Sequence, residues 1–465
     1  MIGAIDLGRV IGLAENEQLQ LDELVSVYNY HRDNNAKKAR YYEGHIPLSE
    51  VNLGIALPQG LAGLEIGCEW GGKTVDVLAG RSMFDGFVGA NGYDPTELNQ
   101  IVDANSLISE YSKHCRDELK YGCTFATLSR DEALGCRIRF HSPQTAAALW
   151  NGEKGRIECG FAIIDTQKDD RDDRMWHPSL INMYTETDVI EIRRSPGTGA
   201  WKATHLPQKM GRPLMEALIW NATSAKPFGR SRIKEPIRRL IQGYVRTIAN
   251  ATIGLEFATA PQKYLLGVTD EQLDVVINQR FKQYVGNILA STPNPETGQN
   301  PTFGQLSQGS IEPHVQMIRL LATQFSAATG LSATDTGVIN DANPSSSDAI
   351  LAQSQTLVNL AEQLNAGNGD ALRRIALMAL AIAQDKTVEE LTDDERSILA
   401  HFRNPAMPSV AATADAAVKI ASVRQGFAQT DTFLEMIGFD QAEIRRIRAQ
   451  EVRARGLAVL EELEQ

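Results

Sequence analysis

The chain reads as a mixed α+β protein, mainly α in its C-terminal half, and three features predict this. Between Gln18 and Phe228 short β-like runs alternate with helical stretches and Gly/Pro punctuation. From Ile233 onward apolar residues recur with a period near 3.6, the signature of long amphipathic helices. The 465 residues, 43% hydrophobic and 22% charged, exceed one ordinary core, and that length predicts roughly two to four structural units.

Leu21 to Arg40 predicts an amphipathic helix carrying Leu24, Val25 and Tyr28, ended by Tyr41-Tyr-Glu-Gly-His45. Short helices follow over Gly72 to Leu78 and Asn105 to Tyr121. Cys123 to Ser129, Cys136 to His141, Arg156 to Asp165, Asp188 to Arg193 and Ala200 to Leu206 predict one small antiparallel sheet. Ile233, Ile237, Leu240, Ile241, Tyr244, Val245, Ile248 and Ile253 lie on one stripe of a single long helix. A strand-like Tyr264 to Val268, a helical Glu271 to Tyr284 and the turn-rich Thr292 to Pro301 predict a compact insert. Helices then cover Ile311 to Thr329 and Ser347 to Leu364, with Gly367-Asn-Gly369 interrupting before Ala371 to Ala383. After a short strand at His401 to Arg403, helices are expected over Thr413 to Phe427, Thr430 to Met436 and Gln441 to Leu463.

The formal net charge of −12 gives a surface that repels a polyanion, which excludes a sequence-reading DNA binder. The five cysteines, Cys68, Cys115, Cys123, Cys136 and Cys159, form no CxxC pair and read as reduced thiols of a cytoplasmic protein. The first residues lack a basic stretch leading into an apolar core, and no apolar run reaches membrane-spanning length, so neither secretion nor a membrane partner is expected. No repeat period indicates a solenoid.

One catalytic pattern matches formally. Gly67-Cys-Glu-Trp-Gly-Gly-Lys-Thr74 fits GxxxxGKT, but a phosphate loop follows a buried strand and needs a downstream Asp-ended strand for Mg²⁺; the preceding Gly60 to Ile66 is a plausible but short strand, and no Asp-ended strand stands out downstream. A glycine turn ahead of a short helix is the plainer reading. Asp169-Asp-Arg-Asp-Asp173 reads as a solvated turn rather than a metal site. His114, Cys115 and Cys123 lack the second pair that tetrahedral zinc requires. No catalytic residue, metal or cofactor is assigned.

The order of segments carries a resemblance over about Leu24 to Gly456. Its pieces are Arg40-Tyr-Tyr-Glu-Gly-His45, Lys73-Thr-Val-Asp-Val-Leu78 and Phe84-Asp-Gly-Phe87; then Pro227-Phe-Gly-Arg-Ser-Arg-Ile233 before the long helix and Glu256-Phe-Ala-Thr-Ala-Pro-Gln-Lys263 after it. Asn343-Pro-Ser-Ser-Ser-Asp-Ala349, Thr413-Ala-Asp-Ala-Ala-Val-Lys419 and Leu434-Glu-Met-Ile-Gly-Phe439 complete the set. With these in order, the chain resembles the portal protein, or head-to-tail connector, of tailed bacteriophages, in its long-tailed form. Residues 1–20 and the glycine cluster Gly67 to Thr74 match no feature of that family.

The resemblance implies a portal-type subunit of wing, stem, clip and crown, in a closed ring around a central channel. The implied division is an α+β wing at 1–228, a first stem helix at 229–258, a clip at 259–308 and a second stem helix at 309–330. A tunnel loop at 331–346, a long wing helix at 347–384 and a helical crown at 385–465 follow. The ring, usually of about twelve subunits with heterologous interfaces, would sit at one capsid vertex of the virion after assembly in the host cytoplasm. Its implied partners are double-stranded DNA, the terminase large subunit, head-completion or adaptor proteins, and the major capsid and scaffolding proteins. The alternative is a P-loop nucleotide-binding enzyme of phage DNA metabolism. A capsid or adaptor subunit is a further reading, but the helical C-terminal half fits a β-rich shell poorly.

Two groups of residues are singled out. The loop contributes Ser332, Thr334, Asp335, Thr336, Asn340, Asp341 and Asn343, whose hydroxyls and amides suit transient, sequence-blind contact with phosphate oxygens. Asp335 and Asp341 are its only charges, consistent with DNA that slides. The cations Arg230, Arg232, Lys234, Arg238 and Arg239 stand at a helix start, where they oppose the helix dipole. They read either as positive charge near the channel or for a neighbour's carboxylates, or as a solvated helix start.

Overall fold

A computed structural model describes residues 2–47, 66–90, 93–168, 176–259, 263–266, 302–305, 310–332, 334–337, 347–406, 410–424 and 426–463, together with Gly298 and Asn300. The chain forms two compact units. The larger takes Met1–His45, Glu69–Arg239 and Phe325–Gln465, and the smaller Ile46–Cys68 and Leu240–Gln324.

In the larger unit helix α1 (Glu15–Tyr42) buries Leu21, Leu24 and Tyr28, a stripe at helical spacing. α2 (Trp70–Ala79), strand β1 (Phe84–Gly89), α3 (Thr96–Ala104) and α4 (Leu107–Tyr121) follow. The helix expected over Asn105 to Tyr121 is α4, and α3 precedes it unforeseen; Ser106 takes a left-handed conformation, φ +50°, that turns the chain between the two. The expected single sheet is also two. Strands β2 (Cys123–Asp131), β3 (Gly135–His141) and β9 (Met215–Ile219) form one, in the order β3-β2-β9. Strands β4 (Ala146–Asn151), β5 (Arg156–Lys168), β6 (Trp176–Tyr184), β7 (Asp188–Arg194) and β8 (Trp201–Pro207) form an antiparallel meander.

Helix α1 closes one face of the meander, where Phe161, Ile163, Ile181, Met183, Ile190 and Ile192 are buried with Leu21 and Leu24. The N-terminal segment, unassigned from sequence, completes this core. Ile5, Leu7 and Val10 are buried in it, Ile11 bridges Lys202, and Asn29 of α1 holds the Ile5 backbone through two bonds of 2.9 and 2.8 Å. These bonds satisfy backbone groups that have no ladder of their own.

Helix α5 (Glu235–Thr259) buries Ile237, Ile241, Val245, Ala249 and Ile253 along the expected stripe. In the smaller unit its Gly243 faces Leu321 of α6 (Glu312–Thr329). A short hairpin pairs β10 (Lys263–Leu266) with β11 (Thr302–Gln305). The helix expected at Glu271 to Tyr284 lies outside the described residues, as does Asp169 to Asp173.

Helix α7 runs unbroken from Ser347 to Ala383, about 55 Å at the usual rise, so the stop expected at Gly367-Asn-Gly369 does not occur. Asn368 is fully buried and its amide donates to Glu118 Oε2 at 2.7 Å and to the Tyr111 hydroxyl at 3.0 Å. α7 lies against β2, β3 and β9, and against β12 (Ile398–Phe402), which pairs antiparallel with the distant β1. Helices α8 (Val410–Val423), α9 (Asp431–Ile437) and α10 (Gln441–Leu463) end the chain. Among the described residues no helix is long and apolar enough to cross a membrane.

Candidate functional site

The site begins where α6 ends. Gly330 adopts φ +75°, a left-handed helix terminus that glycine enters without strain. Leu331 then turns back into the interior at 3% exposure, and its carbonyl accepts from the Ser326 hydroxyl. Ser332 and Asp335 cap each other. The Asp335 carboxylate accepts from the Ser332 amide at 3.0 Å and its hydroxyl at 2.7 Å, and the Asp335 amide donates to the Ser332 hydroxyl at 3.2 Å. This pair closes a 3-10 turn over Thr334–Thr336.

Two side chains of α2 hold that turn. The Trp70 indole donates to the Thr336 carbonyl at 3.2 Å and stacks on the buried Phe325 ring at 4.7 Å. The Lys73 ammonium donates to the Asp335 carbonyl at 2.7 Å. Thr336 itself is 7% exposed. Its hydroxyl therefore leaves the set of surface groups expected to meet a ligand, and the residue anchors the loop. Ser332 and Asp335 spend hydrogen-bonding capacity on each other. The side chain of Thr334, and Asn340, Asp341 and Asn343, lie outside the described residues.

The same geometry explains the GxxxxGKT match. Gly71, Gly72, Lys73 and Thr74 sit inside α2 rather than in a loop, with the Lys73 amide bonded to the Glu69 carbonyl at 2.9 Å. Thr74 is buried and donates to the Trp70 carbonyl at 2.8 Å. A methyl on Gly71 would lie 1.9 Å from the Tyr41 carbonyl oxygen, so this glycine exists to let α2 meet the end of α1. The lysine that would reach a phosphate is committed to the loop. Among the described residues no group of three or more His, Cys, Asp or Glu side chains is placed to hold a metal.

The five cations at the start of α5 separate into distinct roles. Arg232 is 8% exposed, and its guanidinium donates to the Thr74 carbonyl at 2.6 Å and the Thr329 carbonyl at 2.7 Å. It ties α2 to the last turn of α6, and burial pushes its pKa down to about 10. Neither expectation for the cluster fits Arg232, which is an interior tie. Arg239 is exposed and pairs with Glu235 one turn away at 2.5 Å. Arg230 and Lys234 are exposed, and Arg238, half-buried, donates to the Ile233 carbonyl at 3.1 Å.

Arg230, Lys234 and Arg238 line a half-open cavity of about 870 Å³ that the sequence did not reveal, joined by His31, Lys38 and Lys226. Lys38 is half-buried and donates to the Tyr121 carbonyl at 2.9 Å. Burial first, then Arg238 and Lys226, lower its pKa to about 8. The same causes push His31 down: burial, then Lys38 and Lys226. A signal was present. Tyr28, His31, Asn35 and Lys38 share one stripe of α1, a polar continuation of the apolar face that an apolar-only reading cuts short.

The turn after α6 is anchored by α2, and the one nucleotide-like motif is absorbed into packing. The chain belongs to the phage portal protein family of SPP1 Gp6-like type, whose family model matches residues 21–456. It is 24% identical over 455 residues to the portal protein of Mycobacterium phage D29, covering 94% of this chain and 90% of that one. It is 23% identical over 461 residues to the portal protein of Mycobacterium phage L5, covering 96% and 91%. Among solved structures it is similar to a chain of "Virion of native gene transfer agent (GTA) particle" and to one of "Neck of native GTA particle computed with C12 symmetry". For each the TM-score is 0.44 and the identity 11%, over 80% of this chain and 89% of the other.

Proposed function

We propose that copies of this chain close into a ring of about twelve at one capsid vertex, with heterologous contacts between neighbours. The ring surrounds the channel through which double-stranded DNA enters during packaging and leaves during ejection. It docks the terminase large subunit and later head-completion proteins, and meets capsid and scaffolding proteins during assembly in the host cytoplasm. The subunit carries no catalysis of its own. The observation that carries this reading is the family match across residues 21–456.

The loop after Gly330 is the part of the subunit that touches DNA in this reading. A channel lining has to let a polyanion slide, and each lasting cation contact would add affinity. The loop sequence offers amides and hydroxyls, and the carboxylate of Asp335 is already bonded within the loop. The anchors divide the loop into a fixed start, Ser332 to Thr336, and a remainder from Gly337. Deleting Gly337 to Asn343 is expected to leave ring yield unchanged and to lower DNA packaged per particle at least about tenfold, read by nuclease protection. Packaging at the full level by the deleted protein would remove the loop from the DNA path.

A further inference from the structure

Among the described residues nothing fills the cationic cavity. Of the described groups lining it, His31, Lys38, Lys226, Arg230, Arg232, Lys234 and Arg238 are basic, Arg232 being bonded to the Thr74 and Thr329 carbonyls, and Glu235, the one carboxylate among them, is held by Arg239. Among the described residues no carboxylate pairs with Lys226, Arg230 or Lys234. A concentration of like charge around one concavity lowers stability unless an anion joins it. At Lys38, burial and then the neighbouring Arg238 and Lys226 lower the pKa, the direction such crowding gives.

We infer that this cavity receives a carboxylate-bearing segment of the next copy of the chain, which makes it the cationic half of the subunit interface. The inference rests on the ring reading above. Three properties select the occupant. The opening is a concavity of about 870 Å³ rather than a ridge or a broad groove. It has room for several side chains, whereas a duplex about 20 Å across would touch only its rim. The lining is also partly apolar, with Ala147, Phe228 and Leu360 beside the cations, which suits a peptide carrying aliphatic stems and carboxylates better than a bare phosphate. Finally, the chain as a whole carries −12, so its surface outside the cavity is strongly acidic and every copy brings the complementary charge. A basic concavity and an acidic surface on one subunit are what a head-to-tail contact needs, since the two faces that meet are different.

The test uses the full-length protein in two arms. In the first, Lys226→Glu with Arg230→Glu reverses two exposed charges that have no described partner; ring yield by mass photometry is expected to fall at least about tenfold, with the thermal melt unchanged. Lys234→Glu is the second variant, for the case that the pair disturbs the Lys226 turn. In the second arm, Lys234→Cys is labelled with a thiol-reactive benzophenone. The five native cysteines are buried, so the new thiol is the reactive one. Rings mixed from isotopically light and heavy copies are then irradiated. A light-to-heavy cross-link to a peptide containing Asp or Glu supports the inference. Cross-links confined to one copy or to DNA overturn it, as does full ring yield by the charge-reversed variants. Wild-type protein that makes no ring at any concentration would instead remove the ring reading, a result separable from failure of the cavity alone.

Discussion

Gly71→Val is expected to destabilise the larger unit by about 3 kcal/mol or more, a fall in melting temperature of roughly 6–12 °C. The reason is geometric. The first added carbon would stand 1.9 Å from the Tyr41 carbonyl oxygen and 2.7 Å from its carbon, and both partners are backbone. Neither can rotate aside, so α1 and α2 must separate. Because α2 brings Trp70 and Lys73 to the loop, that separation also loosens the turn at Thr334–Thr336. Gly67→Ala is the matched control. A methyl on Gly67 would meet nothing within 4 Å, and the backbone there is ordinary, so the substitution is expected to be nearly silent. A phosphate-binding loop would reverse the contrast, since its first glycine would matter through ligand approach. Equal damage from Gly67→Ala and Gly71→Ala, read by thermal melting, would contradict the packing account.

Glu118→Gln is expected to flatten part of the pH dependence of stability. Glu118 is fully buried, and burial raises its pKa to about 8, only partly offset by the Asn368 bond. Its second oxygen, Oε1, has no hydrogen-bond partner among the described residues, so ionisation would leave part of a buried charge bare. In the unfolded chain the same carboxyl titrates near 4.5. The folded state therefore holds the proton more tightly. The contribution of Glu118 is fully present below pH 4.5, is lost as pH rises toward 8, and is level above that. Glutamine keeps an acceptor for Asn368 and carries no charge at any pH. The variant should gain roughly 2 kcal/mol or more on the wild type between pH 5 and 8 in urea unfolding. Buried His141, lowered to about 4, contributes with the opposite sign in both proteins and cancels in the difference. Parallel pH profiles for the two proteins would show that Glu118 is ionised in the fold.

What the sequence made legible follows from how local each signal is. The helices α1, α5 and α6 announce themselves through a stripe repeated over several turns, and the structure places them close to the expected ranges. Helix α7 defeats the same method at Gly367 and Gly369. Each glycine costs about 1 kcal/mol in a helix, but Asn368 between them reaches Glu118 and Tyr111 on α4, and that tertiary pairing decides the local outcome. Strand β1 could not be read from its neighbours in sequence, because its partner Ile398–Phe402 lies about three hundred residues away. Strand β6 contains Pro178, which ordinarily argues against a strand, and the ladder accommodates it beside a register irregularity at Asp165 and Thr166.

The candidate site was half legible for similar reasons. The aperiodic stretch after Gly330 was visible as a loop, but its anchors Trp70 and Lys73 belong to a motif that on paper pointed to phosphate. Arg232 read as a member of a surface cluster, and only the fold shows it buried against two carbonyls. Lys38 and Lys226, far apart in sequence, meet the helix-start cations at the cavity only through packing.

Whether the subunits close into a ring around an open axis is decided by end-on electron microscopy of the purified protein. The expected class averages show a closed ring of about twelve copies with an axial hole wide enough for a duplex about 20 Å across. Closed assemblies without an axial opening would contradict it.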